Sequence, residues 1–591
     1  FGGPYIDSGL NLPGNKLRAK SNNLPTLTGS QEWLNYMNFL EESFINYGVI
    51  DLYKNKWEFD KWNISEDPSN WTLSVDGRDI RVAYYGAYSG KTDLEGISAE
   101  MIYYDHDNPP KDIKDKIVII PTRKHPNKPY SSNYLTNYTY NEYEYVLDGD
   151  TLPKSFEYVD PETSFTFDIW YQLAQRLDQI PEDGEAAGAV IVYDMAYDRT
   201  KGLYTFPVPD HYESPTLILS REDGADVIQA AKENKNATIV LNSNVEKSEA
   251  YQLIGYLPGK HYGTEKDEQI ILTNHTDGPS ITQDNGALGI LGIIKYFSNI
   301  PQDQRDRTLL IYLDCRHYMP GMEQAHKDVS WLKKNPDLKN KVVGLIQAEH
   351  LGEMDFKELN GEVIPTGYAE QSYLWTRNND YLVEAAKKAL DRYGWSRGML
   401  SVPERPGPNG NIQQVWWGVG IIALANELRN NDQCNEYSCD EDKTSQSPLV
   451  WDGSSCEVWT CLNVPAYGQG GFLGYYWNKY SDISKWNSEL FVQQTSTLID
   501  LTGVLMYSDL ETIKPILSNI RNLIENSGDE MLLISISMFL GSILSGSVEI
   551  QNFIENYIGN NFPFWIMICF LPIVVWLLGL IGIHPIITSA P

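Results

Sequence analysis

Cysteine and positive charge are the components that this sequence has least of. Six of its 591 residues are cysteine, and 47 lysines and arginines are outnumbered by 79 aspartates and glutamates, which gives a formal net charge of −32. Such a chain repels a phosphate backbone, so we expect no nucleic-acid partner. Hydrophobic residues are not scarce, at 42%. This content excludes a disordered chain and, at this length, predicts two or more folded cores.

Most of the few cysteines fall in one stretch. They are Cys434, Cys439, Cys456 and Cys461. In an oxidising compartment this clustering predicts a loop closed by two disulfides, and the sequence leaves their pairing open. A zinc knuckle is the alternative, although no histidine flanks the stretch. Cys315 and Cys569 are candidate free thiols.

Charged residues are absent from residues 562–583. An apolar run of this length spans a hydrocarbon core of about 30 Å, so it predicts a transmembrane helix. The tail beyond it has no lysine or arginine, so a glycolipid-anchor signal stays open as an alternative. We therefore expect a secretory-pathway protein, at the cell surface or on an organelle membrane, with its large domain extracellular or lumenal.

Asparagine sequons allow N-linked glycans on such a protein. They occur at Asn63, Asn70, Asn137, Asn236 and Asn274. A sequon is a short pattern that also arises by chance, so these positions permit glycosylation and predict no more than that.

Apolar periodicity divides the chain into segments. Residues 30–48 have helical spacing behind Ser30 as a cap. From about residue 71 to 245, short apolar runs between turns predict strands at 81–85, 117–120, 189–193 and 238–241. From about residue 250 to 507, buried strands at 269–273, 308–313 and 342–348 alternate with helical stretches. This alternation predicts an α/β fold with a mostly parallel sheet covered by helices.

Polar residues follow the strand at 269–273. His275, Asp277 and Asp284 lie in the loop NHTDGPSITQDNGALGI, ahead of a helix predicted to begin near Gly286. Open α/β sheets carry their chemistry beyond the carboxyl ends of the strands. Histidine and aspartate are metal ligands, so this loop is a candidate metal site.

The order of these segments resembles the M28-type zinc aminopeptidases that carry an inserted protease-associated domain. DIKDKIVII, AAGAVIVYD and SPTLILSREDGAD look like parts of the insert, and IGYLPGK resembles the strand by which the chain re-enters the peptidase domain. The resemblance covers about residues 25–507. It implies a peptidase-like domain from 25–70 and 249–507, a protease-associated domain at 71–248, a helical juxtamembrane segment at 508–560 and the membrane helix at 562–583.

The resemblance also implies a site for two zinc ions, of which one ligand set is present. His275, Asp284 and Glu349 match the ligands of one ion, and Asp277 matches the carboxylate that orients the imidazole. His350 follows Glu349 directly. On a strand it would face the opposite side, so we expect a core or supporting role for it.

The ligands that bind only the second ion are missing. Where the family has two adjacent glutamates, one of them the general base, an alignment on Gly321 places Cys315 and Arg316, and an ungapped alignment places His317 and Tyr318. Trp477 stands where the family has its last histidine, and indole cannot bind zinc. His317 is the remaining candidate base.

The sequence therefore predicts a membrane-anchored peptidase-like glycoprotein with a degenerate dinuclear zinc site. We expect a non-catalytic or weakly catalytic domain that binds protein partners and holds at most one zinc ion. Nicastrin offers a precedent in overall architecture only. The alternative is an active hydrolase that uses one zinc ion on a peptide or amide substrate, with His317 as the base.

Overall fold

The computed structural model describes most of the chain up to residue 513. The described residues are 26–105, 108–122, 144–146, 186–204, 213–280, 285–316, 318, 331, 335, 338–369, 372–376, 380–395, 398–401, 466–471 and 486–513. All of them lie in one compact unit, residues 1–515. Across these ranges no helix is both long and apolar enough to cross a membrane. The predicted span at 562–583 and the four clustered cysteines lie outside the described residues.

Nineteen strands are described. In chain order they are β1 (Ile50–Ile64), β2 (Trp71–Val75), β3 (Arg78–Ile80), β4 (Tyr84–Tyr85), β5 (Ile97–Tyr103), β6 (Ile117–Pro121), β7 (Glu144–Val146), β8 (Gly188–Val192), β9 (Thr216–Leu219), β10 (Asn236–Leu241), β11 (Ser243–Leu257), β12 (Gln269–His275), β13 (Thr308–Asp314), β14 (Val342–Ala348), β15 (Met354–Leu359), β16 (Glu362–Ala369), β17 (Ser372–Thr376), β18 (Gly398–Ser401) and β19 (Ala466–Gly471).

The α-helices among the described residues vary from one turn to five. They are α1 (Gln31–Asn46), α2 (Tyr197–Thr200), α3 (Arg221–Lys232), α4 (Gly286–Ser298), α5 (Leu338–Lys341), α6 (Asp380–Tyr393), α7 (Ser488–Tyr507) and α8 (Leu510–Ile513). The predicted helix behind Ser30 is confirmed as α1, because the Ser30 side chain accepts a hydrogen bond from the Trp33 amide at 3.1 Å. Within the segment predicted to be helical at 508–560, α8 is the part that the structure describes.

The larger sheet is mixed, which corrects the prediction of a mostly parallel sheet. Its strand order is β1-β11-β13-β12-β14-β19-β17-β18-β7. The four strands β13, β12, β14 and β19 run parallel to one another, but β1, β11, β17 and β7 join the sheet by antiparallel pairing. For β1 and β11 the reason is the course of the chain: it leaves the larger sheet at Ile64 and re-enters it beside that residue at Ser243, so the two strands run in opposite directions.

A second sheet takes all eight of its strands from residues 71–241, in the order β3-β2-β10-β5-β6-β8-β9-β4. The strand predicted at 81–85 is wrong: β3 pairs with β2 at one edge, and β4 pairs with β9 at the other. Only residues 81–83 join these edges, and so short a link spans about 14 Å at most. Eight flat strands would be about 34 Å across. The sheet must therefore curl until its edges approach each other.

Helices α1, α4 and α7 pack on one face of the larger sheet, and α6 packs against α7. The apolar side chains of that face, such as Leu272, Ile311 and Ile346, form one core with these helices. A separate core belongs to the second sheet. The opposite face of the larger sheet carries buried apolar side chains such as Ile271, Leu310 and Leu345 in the middle of its central strands.

Candidate metal centre

Polar side chains occupy the second face of the larger sheet near the carboxyl ends of its central strands. Neighbours in register share a face, so Thr273 and His275 of β12 lie beside Tyr312 and Asp314 of β13, and Thr273 also lies beside Gln347 of β14. All five are buried. Buried polar groups need partners, so this face depends on hydrogen bonds.

Three donor groups converge where β12 and β14 end. His275 Nε2 lies 3.0 Å from Glu349 Oε1, and His350 Nε2 lies 3.3 Å from the same oxygen. One donor atom from each residue lies within 4.8 Å of the others. The residues are 0%, 3% and 5% exposed, respectively. This histidine–carboxylate–histidine cluster is the candidate metal centre.

The donor set fits a zinc ion. Two imidazoles and one carboxylate are common zinc ligands, bound at about 2.0–2.2 Å. Tetrahedral ligands at such distances lie about 3.3 Å apart. The measured separations of 3.0 Å and 3.3 Å match two edges of that tetrahedron. Three protein ligands leave one coordination position for a further ligand.

His350 occupies a position that strand alternation did not predict. It was expected to face away from Glu349, but β14 ends at Ala348 and His350 has a left-handed backbone with φ of 50°. That conformation breaks the alternation and turns the imidazole toward the carboxylate. The available signal was the sequence HLGEMD, in which a glycine soon after the strand indicates a turn.

Side chains from two helices hold this turn in place. The Asn285 side chain, at the start of α4, donates to the Leu351 carbonyl at 2.6 Å and accepts from its amide at 2.8 Å. Gln494 of α7 accepts from the Gly352 amide at 2.7 Å, and Trp486 donates to the Leu351 carbonyl at 3.0 Å. The position of His350 is therefore set by the packing of α4 and α7.

Asp277 orients the imidazole of His275, mainly through its backbone. His275 Nδ1 lies 2.6 Å from the Asp277 carbonyl oxygen and 3.8 Å from the carboxylate. The carboxylate accepts a 2.6 Å hydrogen bond from the Tyr318 amide. Burial alone would lower the pKa of His275, but Asp277 and Glu349 outweigh it and raise the pKa to about 10. Without a metal ion, the two neighbours therefore favour the protonated form of His275.

Glu349 remains ionised in this buried setting. Burial would raise its pKa, but His350 and His275 outweigh burial and hold the pKa well below its ordinary value. Gln347 donates to the second carboxylate oxygen at 2.9 Å. No motif in the sequence marks Gln347 as part of the site, although its spacing of two from Glu349 places both on one face of an extended chain.

The end of β13 has a different chemistry. Arg316 forms a two-pronged ion pair with Asp314, Nε to Oδ1 at 2.9 Å and Nη2 to Oδ2 at 2.6 Å, and both side chains are buried. Burial opposes ionisation of Asp314, but Arg316 outweighs it and lowers the pKa. Cys315 is a buried free thiol whose pKa burial raises well above its ordinary value. The sequence did not predict the ion pair of Asp314, because its partner Arg316 lies two residues later in the chain, beyond the end of β13.

The structure leaves part of the predicted site undescribed. Asp284, His317 and Trp477 lie outside the described residues, so their roles stay predictions. The sequon at Asn137 also lies outside the described residues. Of the sequons it describes, Asn236 is exposed and Asn63 and Asn70 are half-buried, but Asn274 is fully buried in β12. A glycan at Asn274 is therefore wrong, because the sheet leaves no room for one.

No family model and no curated protein matches this sequence. Solved structures do share its fold. A peptidase M28 precursor from Shewanella amazonensis is similar with a TM-score of 0.52 at 14% identity, over 87% of this chain and 96% of that one. An aminopeptidase from an Aneurinibacillus strain matches with a TM-score of 0.48 at 13% identity, over 85% and 96%. BSAP, a zinc aminopeptidase from Bacillus subtilis, matches at 0.46 and 12%, over 84% and 96%.

At 14% identity the likeness to the Shewanella structure concerns the fold alone. The chain therefore has a mixed α/β fold similar to that of the M28 peptidase precursor. Independently of this likeness, open α/β sheets carry their chemistry beyond the carboxyl ends of their strands, which is where the cluster at the ends of β12 and β14 lies.

Proposed function

We propose that this chain is an M28-peptidase-like binding domain that holds one zinc ion through His275, Glu349 and His350 and does not hydrolyse peptides. The observation that carries the proposal has two parts: the three metal-ligand candidates are buried from solvent, and the carboxylate at the neighbouring strand end is neutralised by an ion pair. The three donors are at most 5% exposed, and the acid at the next strand end is bound to Arg316. A catalytic zinc site needs a position that substrate and water can reach.

Each residue of the centre has a definable task in holding the ion. Glu349 supplies an anionic oxygen, and Gln347 fixes the carboxylate by its second oxygen. Asp277 sets the ring orientation of His275, which must lose its proton before it can bind a metal. The turn brings His350 to the same point. When bound, the zinc ion would supply Lewis-acid polarisation.

A general base is the part that the described site does not supply. Water activation needs a group that accepts a proton close to the metal. Asp314 is unsuited to this, because Arg316 lowers its pKa and both of its oxygens already accept hydrogen bonds. Asp277 is committed to the Tyr318 amide. This supports a binding function over hydrolysis.

A single-metal hydrolase of peptide or amide bonds is the second candidate. It is favoured by one observation, the coordination position that three protein ligands leave free, and it would need His317 as the base. Both candidates predict one zinc ion. They differ in whether aminoacyl substrates are cleaved.

The deciding experiment is a metal count combined with a substrate screen on the purified chain. We expect about one zinc ion per chain, lost in His275→Ala and retained in His261→Ala, a matched change before β12. We also expect no cleavage of aminoacyl anilides or peptides. Cleavage abolished by His275→Ala would establish the hydrolase instead. Two zinc ions, or none, would refute the single-ion centre.

We also propose that the domain is displayed on a membrane anchor in the secretory pathway as a glycoprotein, with the second sheet as its protease-associated insert. The apolar run at 562–583 and the exposed sequon at Asn236 support this. After expression in a secretory host, glycosidase treatment should lower the mass, and Asn236→Gln should remove part of that shift. Asn274→Gln is the matched control and should change nothing. Absence of any shift would refute the glycoprotein proposal.

A further inference from the structure

The second sheet reaches the metal centre through a pair of tyrosines. Tyr204 follows α2 and belongs to the core of the second sheet. Its ring meets the ring of Tyr318 edge-on, with centroids 5.6 Å apart. Tyr318 follows β13 of the larger sheet, yet it packs in the second core and is 1% exposed. The loop that follows β13 of the larger sheet therefore inserts a side chain into the core of the second sheet.

The same Tyr318 contacts both the candidate metal ligand His275 and Asp277, the residue that orients it. Its amide donates to the Asp277 carboxylate at 2.6 Å, and its ring centroid lies 6.5 Å from that of His275. The backbone carbonyl oxygen of the same Asp277 lies 2.6 Å from His275 Nδ1. A short series of contacts thus runs from Tyr204 to the imidazole.

A second connection lies next to the first. Leu27 packs against the second core, and its two neighbours bind the loops of the site. Thr26 and Gly278 exchange backbone hydrogen bonds of 3.0 Å and 3.3 Å, and the Thr28 hydroxyl donates to the Cys315 carbonyl. The loops after β12 and β13 are therefore both attached to the core of the second sheet.

We infer that Tyr318 is a positioning residue for His275, and that the second sheet supports the metal centre through Tyr204. Docking of the two sheets and binding of the metal are then coupled. Each favours the other, because a displaced Tyr318 releases Asp277 and with it the imidazole. The measurements of zinc affinity and cobalt spectrum rest on the proposed zinc site. The measurement of hydrogen exchange in the metal-free chain rests on the contacts alone.

The test compares three variants of the full chain. Tyr204→Leu keeps a buried apolar side chain but removes the ring edge, and it should weaken zinc binding about tenfold, as loss of groups that orient a ligand does. It should also change the visible spectrum of the cobalt-loaded protein. Tyr204→Phe keeps the ring and should behave as the native chain. Val227→Ala opens a cavity in the same core on α3 and should lower thermal stability while leaving zinc affinity unchanged.

Two results would overturn the inference. One is a native zinc affinity and cobalt spectrum in Tyr204→Leu. The other is an equal loss in Val227→Ala, which would mean that any damage to the second core has the same effect. If the native chain binds no zinc, the zinc proposal fails, and hydrogen exchange of residues 275–278 in the metal-free chain decides the coupling. Faster exchange in Tyr204→Leu than in Val227→Ala supports it, and equal exchange refutes it.

Discussion

Two groups of charged side chains lie at neighbouring strand ends of the larger sheet, and they differ in how their charge is balanced. At the end of β13, Asp314 is paired with Arg316. At the ends of β12 and β14, Glu349 is faced by His275 and His350. Both groups are buried. Arginine keeps its proton at every physiological pH, whereas histidine can exchange its proton for a metal ion.

This difference decides which of the two strand ends can offer a place to the metal ion of the proposed single-ion site. At the end of β13 a guanidinium provides the positive charge, and Asp314 and Arg316 satisfy each other. We call Arg316 the permanent cation, because arginine keeps its proton at every physiological pH. We call Glu349, His275 and His350 the conditional group, because each histidine can exchange its proton for a metal ion.

The comparison is tested most severely by removing the permanent cation. Arg316→Met leaves the Asp314 carboxylate buried without its partner, so we expect about 3–5 kcal/mol loss of stability. The measurement is the midpoint of thermal or denaturant unfolding of the purified chain. Asp314 also accepts hydrogen bonds from the backbone amides of Cys315 and Arg316 and from the side-chain amide of Gln252, so a control should keep an acceptor at this position.

The double variant Asp314→Asn with Arg316→Met is that control. It removes both charges and keeps an acceptor for the two backbone amides, although it loses the hydrogen bond from Gln252. It should still be more stable than Arg316→Met alone, because an unpaired buried charge costs more than one neutral hydrogen bond. A surface arginine in an exposed pair, Arg78→Met, should change little, because exposed ion pairs are weak. If the double variant is as unstable as the single one, the charge of Asp314 is not the cause.

The second prediction concerns the turn that brings His350 to the conditional group. Gly352 has φ of 79°, and a Cβ there would lie 2.7 Å from Trp486 Nε1 and 2.8 Å from the Asn487 carbonyl. Gly352→Ala should therefore cost about 1–3 kcal/mol of stability and weaken zinc binding, because the turn must shift. Gly361→Ala is the matched control, since Gly361 has φ of 84° and open space around it. Equal effects of the two changes on zinc affinity would disconnect the turn from the metal centre.

The sequence predicted the framework of this site well, for a physical reason. The strands β12, β13 and β14 are continuous apolar runs, and their observed starts at Gln269, Thr308 and Val342 are the predicted ones. Burial on both faces of a central strand leaves an unmistakable pattern. The predicted positions of the carboxyl ends of these strands, and of His275 and Glu349 at those ends, therefore agree with the structure.

The sequence could not predict what depends on the ends of elements. The role of His350 follows from a left-handed residue just past β14, and the strand pattern had assigned it to the other face. The pairing of Asp314 with Arg316 also requires the strand to stop between them. The link between Tyr318 and Tyr204 joins two residues 114 positions apart, both of them outside helices and strands. Local pattern carries no information on such contacts.

The smallest expected effect separates the metal centre from general burial of polar groups. Gln347 donates to Glu349 Oε2 at 2.9 Å, and Gln347→Leu removes this support while keeping a side chain of similar size. We expect zinc affinity, measured by competition with a chelator, to fall about tenfold. Gln269 offers the matched control at the opposite end of the parallel strands, where it donates to Asp267 at 2.9 Å. Gln269→Leu should lower stability without changing zinc affinity. If both variants bind zinc as the native chain does, Gln347 does not position Glu349, and the conditional group depends on its two histidines alone.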